Sequence, residues 1–270
     1  MDADAASVAG EVLAALDAGG QIAPFTRRID GFDLAAAYRA AAELRRLRQA
    51  RGERPVGRKI GFTNRGIWDE YGVFQPIWGD MWEGTVHAAA AGGTIAVSHL
   101  PEPRIEPEIV LGLDRDLSPG MSVAELAGSV AWVAHGFEIV QSIFPAWRFG
   151  AADCVADGGL HGALYVGPRR LLAPDERPGL PVALARLKLT LLRNGDEVDA
   201  GTGANVLDGP VEALAHLVGV LAGDPDNPPL RAGEIVTTGT VTRAFPVAPG
   251  ERWSTVIAGG DLPGLSVAIN

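Results

Sequence analysis

The sequence predicts an α+β fold in which a mixed, rolled-up β-sheet is accompanied by N-terminal and peripheral helices. The first fifty residues have the apolar spacing of helices. From Val56 onward, short β-like runs alternate with turns, and the chain holds 35 Gly and 19 Pro. Helices interrupt these runs too rarely for the regular strand–helix alternation of a doubly wound parallel sheet, so a mixed sheet is favoured.

Two helices are predicted in the N-terminal part of the chain. Val8 to Leu16 is an apolar helical stretch, and Gly19-Gly20 ends it. Asp33 is a capping residue for a second helix, which finishes in a cluster of arginines. We expect residues 1–55 to form a helical region that packs on a core formed by residues 56–270, with 1–270 as one domain as the alternative.

The predicted strands lie in the second part of the chain. They are Arg58–Phe62, Gly84–His87, Thr94–Val97, Ile105–Leu111, Gly162–Val166, Leu187–Leu192, Glu234–Thr238 and Leu265–Ile269. Two helical stretches separate them, Ser122–Ala134 and Pro210–Leu221, and the second begins with Pro at its first turn.

Composition excludes several classes of protein. The chain has 270 residues, 47% of them hydrophobic, which is enough for a large buried core. Its formal net charge of −10 argues against a nucleic-acid or anionic-membrane partner. We find no apolar run of the ~20 residues that a bilayer span needs and no signal peptide. Cys154 is the single cysteine, so we expect a cytoplasmic protein without disulfides.

The segment Glu106-Pro107-Glu108 is the sharpest chemical feature. In a strand both carboxylates point to one face, roughly 7 Å apart, while Ile105 and Ile109 point to the other. Such an oxygen pair suits a hard divalent cation. The plain alternative is an exposed edge strand with solvated carboxylates, and the dipeptide alone favours that alternative.

A third carboxylate strengthens the metal hypothesis. Glu138 lies between Phe137 and Ile139 in a core-like strand, where an ionised side chain needs a partner. Its segment contains no Lys or Arg. Three carboxylates around Mg²⁺ or Mn²⁺ would leave coordination positions open for a chelating substrate and water.

Three further features are candidates for the same site. Lys59 is one of only two lysines among 23 basic residues, and it lies in a glycine-flanked strand where it could bind a carboxylate or move a proton. Thr238-Gly239-Thr240 ends a buried strand and offers hydroxyl and N–H groups to an anion. His161 follows a turn that could project it into a site. For each, an ordinary structural role is the alternative.

Taken in order along the chain, these motifs resemble those of the 2-keto-4-pentenoate hydratase and 2-oxo-3-enedioate decarboxylase branch of the fumarylacetoacetate hydrolase superfamily. The resemblance covers almost the whole chain. The matching segments are Asp33–Tyr38, Gly57–Thr63, Gln75–Gly79, Glu106–Glu108, Glu138–Ser142, Val155–Asp157, Leu230–Glu234 and Thr238–Thr240.

The resemblance implies a mixed β-roll, a divalent metal (usually Mg²⁺) on Glu106, Glu108 and Glu138, and a homo-oligomeric assembly. It implies a small 2-oxo or 2-hydroxydienoic acid substrate that chelates the metal, which then stabilises an enolate. Lys59 matches the active-site lysine of the family, for proton transfer or carboxylate binding. The resemblance also places Asp157, Thr238, Gly239 and Thr240 in the substrate site.

Three departures from the family pattern concern the substrate end. Ile77 stands where many relatives have an acidic residue. The chain has Gln141-Ser142-Ile143 instead of Asp-Ser-Arg, and Gly158-Gly159-Leu160-His161 instead of a segment that begins Asn-Ala-Ser. We expect His161, as a catalytic acid or base, and Asp80, as a substrate contact, to replace the missing polar groups.

Three functions follow as hypotheses. The first is a metal-dependent hydratase of a 2-hydroxy-2,4-dienoate. The second is a decarboxylase of a 2-oxo-3-enedioate or a C–C hydrolase of an acylpyruvate-like acid, for which Arg65 and Arg148 are candidate cations at the distal end of the pocket. The third is a metal-binding subunit that has lost catalysis.

Overall fold

The computed structural model describes residues 4–65, 68–71, 74–89 and 92–270. The helices found there are α1 (Ala5–Ala18), α2 (Leu34–Ala50), α3 (Trp68–Tyr71), α4 (Val123–Ala127), α5 (Ala151–Ala156), α6 (Leu180–Arg186) and α7 (Pro210–Ala222). The strands are β1 (Pro55–Gly61), β2 (Ile77–Trp82), β3 (Val86–Ala88), β4 (Gly93–Ile95), β5 (Arg104–Leu113), β6 (Val130–Val140), β7 (His161–Val166), β8 (Arg170–Leu171), β9 (Lys188–Arg193), β10 (Asp196–Thr202), β11 (Ile235–Thr240), β12 (Phe245–Pro246), β13 (Arg252–Ala258) and β14 (Ser266–Ile269).

A large mixed sheet forms the centre of the molecule. Its strands follow the order β2-β1-β11-β5-β6-β7-β3, with β12 beside β5 and β8 beside β6. Strand β1 pairs with β11, and β3 with β7, in parallel, whereas the other pairs are antiparallel. This mixed pairing confirms the predicted α+β class, and it places β5 and β6 in the middle of the sheet.

A second sheet, in the order β10-β9-β13-β14-β4, covers one face of the first. Alternate residues of its strands are buried, among them Leu189, Leu191 and Trp253. They share one apolar cluster with Ile105 and Phe137 of the central sheet. Since side chains alternate along a strand, the neighbours of Ile105 and Phe137 along β5 and β6 are left to line the opposite face.

The N-terminal helices cover that opposite face. Helix α1 ends at Gly19, which has a left-handed φ of 58°, and the Asp33 side chain accepts a hydrogen bond from the Ala36 amide at 2.9 Å at the start of α2. Both features were predicted. Side chains of α1 and α2 form a cluster with α5 and the end of β6, including Val12 and Val140. The boundary between residues 1–55 and 56–270 stays a prediction.

One predicted helix is wrong. Helix α4 covers only Val123–Ala127, and strand β6 begins at Val130, so the predicted helix over Ser122–Ala134 fails in its second half. The capping box between Ser122 and Glu125 was a real start signal. Beyond Gly128, however, Val130–Ala134 pairs with β5, and the hydrogen bonds of the eleven-residue strand β6 outweigh a weak helical spacing.

Several shorter elements also differ from the predictions. Glu83–Thr85 is a 3₁₀ turn, so only the end of the predicted strand Gly84–His87 is extended, in β3. The Thr85 hydroxyl holds this turn, because it donates to the Trp82 carbonyl at 3.0 Å. Strands β2, β10 and β13 and helices α5 and α6 were not predicted. Within the described residues, the helices are all too short or too polar to span a bilayer.

Candidate metal centre and active-site cavity

Three carboxylates meet on the helix-covered face of the central sheet. In the antiparallel pair β5–β6, Glu106 lies opposite Glu138, and Glu108 lies opposite Gly136. One carboxylate oxygen of each glutamate lies within 4.8 Å of the others. The alternative of an exposed edge strand is wrong, because β5 lies between β11 and β6. Strand periodicity therefore brings together two carboxylates, and sheet register adds the third.

The positive partner that Glu138 needs comes from a distant strand. The Lys59 ammonium in β1 lies 3.3 Å from Glu138 Oε2 and donates a hydrogen bond to the Gly159 carbonyl at 2.9 Å. His161 Nδ1 lies 2.8 Å from Glu138 Oε1. The carboxylate of Glu138 is thus held between a lysine and a histidine, both of them buried.

Two glycines make this arrangement possible. A Cβ on Gly159 would lie 2.8 Å from Lys59 Cδ, and Gly159 has a φ of +76°. A Cβ on Gly239 would lie 1.9 Å from Thr63 Oγ1, and its φ is +100°. The Gly239 amide donates to Glu108 Oε2 at 2.9 Å. A side chain at either position would therefore displace a group of the site.

The charges of the site are strongly coupled. Burial alone would raise the pKa of Glu138, but Lys59 and the hydrogen bond from His161 outweigh it and lower the pKa to about 2. Burial alone would lower the pKa of Lys59, but Glu138, Glu106 and Glu108 hold it above its usual range. Glu138 and Lys59 therefore form an ionised pair at neutral pH.

The other two glutamates behave differently. Burial, only partly offset by Lys59, raises the pKa of Glu106 to about 7. Burial and the charges of Glu138 and Glu106 raise the pKa of Glu108 well above its usual value. Without a cation, the cluster therefore retains protons at neutral pH. Binding of a divalent ion would release them, so metal affinity should rise with pH.

The cluster fits a hard divalent cation. Glu108 Oε1 is buried and has no hydrogen-bond partner in residues 4–65, 68–71, 74–89 and 92–270, and the buried Glu138 Oε2 has only its ion pair with Lys59 there. Unpartnered buried carboxylate oxygens are costly unless a cation binds them. All donors are oxygens, which Mg²⁺ and Mn²⁺ prefer.

A cavity of about 290 Å³ opens beside the carboxylates. Its polar wall includes Lys59, Glu106, Gly239 and Thr240, and the buried Thr240 hydroxyl has no hydrogen-bond partner within the described residues. Its apolar wall consists of Ile60, Phe62, Ile77, Val140, Trp147, Phe149, Cys154 and Leu160. The combination suits a small acid that has a polar head and an unsaturated tail.

The backbone around this cavity is strained. Phe62, Trp147 and Leu160 line it and have positive φ angles of 53°, 57° and 65°. Non-glycine residues adopt this region only when their surroundings compensate for the cost, and such residues cluster at functional sites.

His161 lies behind the carboxylates and does not line the cavity. Its ring bridges Glu138 on one side and the Thr85 hydroxyl on the other, with Nε2 to Oγ1 at 2.8 Å. The Thr85 hydroxyl also accepts a hydrogen bond from the Trp82 amide. Since the ionised Glu138 can only accept, Nδ1 of the histidine carries a proton. This geometry fixes the orientation of Glu138.

The two aspartates predicted to bind substrate line a separate small crevice that also includes His161. Asp80 lies between two arginines, 2.9 Å from the fully buried Arg58 and 2.5 Å from Arg45. Asp157 is buried, and burial raises its pKa well above the usual value. The structure does not bring Asp80 and Asp157 to the cavity wall.

The predicted Thr-Gly-Thr segment is divided between two faces. Gly239 and Thr240 line the cavity. Thr238 does not, and its hydroxyl donates to the Ile109 carbonyl at 3.1 Å. The irregular β11–β5 register between Thr237 and Thr240, with a φ of +100° at Gly239, separates Thr238 from Thr240, which regular alternation would place on one face.

The sequence reasoning chose the wrong arginines for the cavity. Arg65 is exposed and pairs with Asp208 at 2.9 Å, and Arg148 is exposed and does not line the cavity. Arg104 and Arg243 line it instead. Arg104 precedes Glu106 by two residues, so the same period-two spacing that paired the glutamates could have identified it.

A second residue that was missed is His135, which braces the metal cluster from the opposite side. Its Nδ1 lies 3.0 Å from the Glu108 carbonyl, and its Nε2 lies 2.9 Å from the Thr255 hydroxyl in the second sheet. Burial lowers the pKa of His135 to about 4, so the ring is neutral. It therefore ties the backbone of Glu108 to β13.

Comparison with known proteins agrees with this geometry. Residues 81–266 match the family described as fumarylacetoacetate (FAA) hydrolase C-terminal. The chain is 31% identical over 239 residues to 2-hydroxyhexa-2,4-dienoate hydratase of Comamonas testosteroni, which covers 88% of each chain. It is 32% identical over 243 residues to 2-keto-4-pentenoate hydratase of Burkholderia vietnamiensis, covering 89% of this chain and 88% of the other.

A solved structure is similar over nearly the full length. The 4-oxalocrotonate decarboxylase of Pseudomonas putida G7, complexed with magnesium and adipate, superposes with a TM-score of 0.89 at 28% sequence identity. The match covers 98% of this chain and 97% of that one. The similar proteins thus include both hydratases and a decarboxylase.

Proposed function

The chain belongs to the fumarylacetoacetate hydrolase family, and from that premise we propose that it is a divalent-metal-dependent hydratase of a 2-hydroxy-2,4-dienoate. The observation that carries the proposal is the convergence of Glu106, Glu108 and Glu138 at the end of a cavity that Lys59 also lines. A bound Mg²⁺ or Mn²⁺ would supply Lewis acidity at the 2-oxygen of the substrate.

The remaining steps are assigned to the protein's own groups. Lys59 is held protonated, so it acts as a cation for the substrate carboxylate or as a proton donor and not as a general base. Gly239 and Thr240 contribute to the polar wall where the head of the acid binds. The apolar wall packs against the hydrocarbon tail of the substrate, and the water that adds to the distal double bond must share this cavity.

His161 is assigned a positioning role. It contacts Glu138 and Thr85 and does not line the cavity, so it has no route to a substrate carbon. A histidine that donates to a ligating carboxylate fixes the orientation and basicity of that ligand. Asp80 and Asp157, in the crevice behind the site, are likewise assigned to the support of the cluster.

The test uses purified protein, Mg²⁺ and 2-hydroxypenta-2,4-dienoate. The dienol absorbance should fall in the presence of Mg²⁺ and remain constant in EDTA. The Glu138→Gln variant should be inactive, whereas Glu197→Gln, which changes an exposed glutamate on β10, should match the wild type. No turnover of this substrate or its longer homologues, or equal rates of turnover in Mg²⁺ and in EDTA, would refute the proposal.

Decarboxylation of a 2-oxo-3-enedioate is the second candidate. It is favoured by the similarity to the decarboxylase structure over 98% of the chain. Release of CO₂ when a 2-oxo-3-enedioate replaces the dienoate as substrate would establish it in place of hydration. Formation of two carbon fragments from an acylpyruvate-like acid would instead indicate a C–C hydrolase, and metal binding without turnover of any of these substrates would indicate an enzyme that has lost catalysis.

We also propose, from the family resemblance, that the protein is a homo-oligomer, and from its single buried Cys154 that it works in the reducing cytoplasm. Light scattering after size-exclusion chromatography tests the first proposal. A monomer at micromolar concentration would contradict it.

A further inference from the structure

A short segment forms one wall of the cavity and faces solvent on its other side. Its aromatic residues Trp147 and Phe149 line the cavity, whereas Ala146 between the ends of the segment is exposed. We propose that residues 144–149 form a strap that opens and closes the cavity, and that Glu102 is the latch that holds the strap closed. This control of entry goes beyond the proposed function, because it applies to any small molecule that reaches the cavity.

Both ends of the strap are anchored. Phe144 is fully buried in the cluster of the N-terminal helices, and its carbonyl accepts a hydrogen bond from the Ser142 hydroxyl at 2.7 Å. At the other end, the Gly150 amide donates to the buried carboxylate of Asp153 at 2.8 Å, and the Thr26 hydroxyl donates to the same carboxylate at 2.6 Å. The middle of the strap can therefore move while the elements on either side stay in place.

The middle of the strap has an unfavourable backbone conformation. Ala146 and Trp147 follow each other in the left-handed region, with φ angles of 58° and 57°. A side chain makes this region costly for every residue except glycine, so two consecutive residues adopt it only when other contacts compensate. Loss of those contacts would release the strap toward a conformation with negative φ angles.

The compensating hydrogen bonds converge on Glu102. Its carboxylate accepts from the Ala146 amide at 2.9 Å, and its backbone carbonyl accepts from the Trp147 indole at 3.0 Å. The Trp147 ring also packs on Arg104, whose Cζ lies 4.1 Å from the ring centroid. Because Glu102 is exposed, water competes for its hydrogen bonds, and their small net contribution makes closure reversible.

Cys154 is a direct reporter of opening. It is the single cysteine of the chain, it lines the same cavity, and it is only 2% exposed. A thiol reagent must enter the cavity to reach it, so the rate of labelling measures how often the cavity opens. Burial raises the pKa of this thiol, which slows labelling equally in all variants that leave the surroundings of Cys154 unchanged.

The experiment measures the rate at which 4,4′-dithiodipyridine labels the folded protein without added metal. Glu102→Ala removes the acceptor for the Ala146 amide, so we expect labelling to accelerate about tenfold. Glu102→Gln retains an acceptor oxygen and should label at nearly the wild-type rate. Ala146→Gly relieves the backbone strain of the closed form and should slow labelling about threefold. Glu197→Ala, which truncates an exposed glutamate on β10, should leave the rate unchanged.

Urea separates opening of the strap from global unfolding. Opening of a short segment exposes little surface, so below the unfolding transition the labelling rates of the wild type and Glu102→Ala should depend only weakly on urea. Labelling that rises with urea as steeply as global unfolding would overturn the inference, and so would equal rates for the wild type, Glu102→Ala and Ala146→Gly. Because the assay uses neither substrate nor metal, either result would leave the proposed function standing, and a failure of dienoate hydration would leave the strap standing.

Discussion

Replacement of Glu108 by glutamine should stabilise the metal-free protein and abolish its response to magnesium. In the wild type, the carboxyl groups of Glu108 and Glu138 are close enough to share a proton, and Glu108 Oε1 lacks any other hydrogen-bond partner in the described part of the chain. In Glu108→Gln the amide oxygen can still accept from Gly239, while the amide N–H₂ donates to Glu138. The variant thus replaces a shared-proton contact, which becomes repulsive when Glu108 ionises, by a hydrogen bond that does not titrate.

The magnitude follows from the cost of leaving a buried polar group unpaired, which is about 1–3 kcal/mol. For a chain of this size, about 1 kcal/mol corresponds to a shift in Tm of about 2–4 °C. We therefore expect Glu108→Gln in EDTA to melt about 4–8 °C above the wild type, for a gain near 2 kcal/mol. In the wild type, saturation with Mg²⁺ at about 100 times its Kd should add about 2.7 kcal/mol, and in the variant it should add nothing.

The gain should also depend on pH. Because the pKa of Glu108 is raised in the folded protein, the wild type loses stability as pH rises from the unfolded value of this group toward the folded one. Glutamine does not titrate, so the advantage of Glu108→Gln should be larger at pH 8.5 than at pH 5.

The assay is thermal unfolding in EDTA and in Mg²⁺ at both pH values, with Glu197→Gln as the matched control on an exposed strand position. A lower Tm of Glu108→Gln in EDTA, combined with an intact response to Mg²⁺, would refute the assignment of this cluster as a metal site.

Three further predictions concern residues around the cluster. His161→Phe removes the hydrogen-bond donor to Glu138, so the affinity for Mg²⁺ should fall about 10- to 100-fold. At saturating Mg²⁺ the kcat of the variant should equal that of the wild type. A loss of kcat that Mg²⁺ cannot restore would make His161 catalytic. Asp80→Asn removes the negative charge nearest to the buried Arg58 and should lower the free energy of unfolding, measured in urea, by about 3–5 kcal/mol. A decrease of less than about 1 kcal/mol would contradict this pairing. His135, whose pKa is lowered to about 4 by burial, is neutral in the fold, so it contributes stability above about pH 6.5 that is lost as pH falls toward 4. In EDTA, the free energy of unfolding of His135→Asn should not show this loss of about 3 kcal/mol as pH falls. Parallel curves of unfolding free energy against pH for the wild type and the variant would contradict a neutral, buried His135.

The carboxylate pair was predictable because strand alternation is a local rule. Glu106 and Glu108 share a face of β5 whatever the sheet around them, and Ile105 and Ile109 necessarily face the core. The same rule applied to Arg104 would have placed it in the cavity. Arg104 was missed because the period-two rule was applied only to the acidic residues of this strand.

The error at Ser122–Ala134 has the opposite cause. Val130–Ala134 has no strong local preference, and its extended form depends on pairing with β5 and β8, which lie elsewhere in the chain. Non-local pairing overrides weak propensity, so a single sequence cannot settle such a segment.

The sequence by itself determined the α+β class, the ordered set of acidic residues and the lysine, because each depends on residue type and short-range periodicity. Only the tertiary structure decided what each group faces. It placed Lys59 against Glu138, His161 behind that carboxylate, Asp80 among arginines and Arg104 in the cavity. The physical reason is that side-chain partners are chosen by sheet register and by the packing of distant strands, and neither can be read from the spacing of residues along the chain.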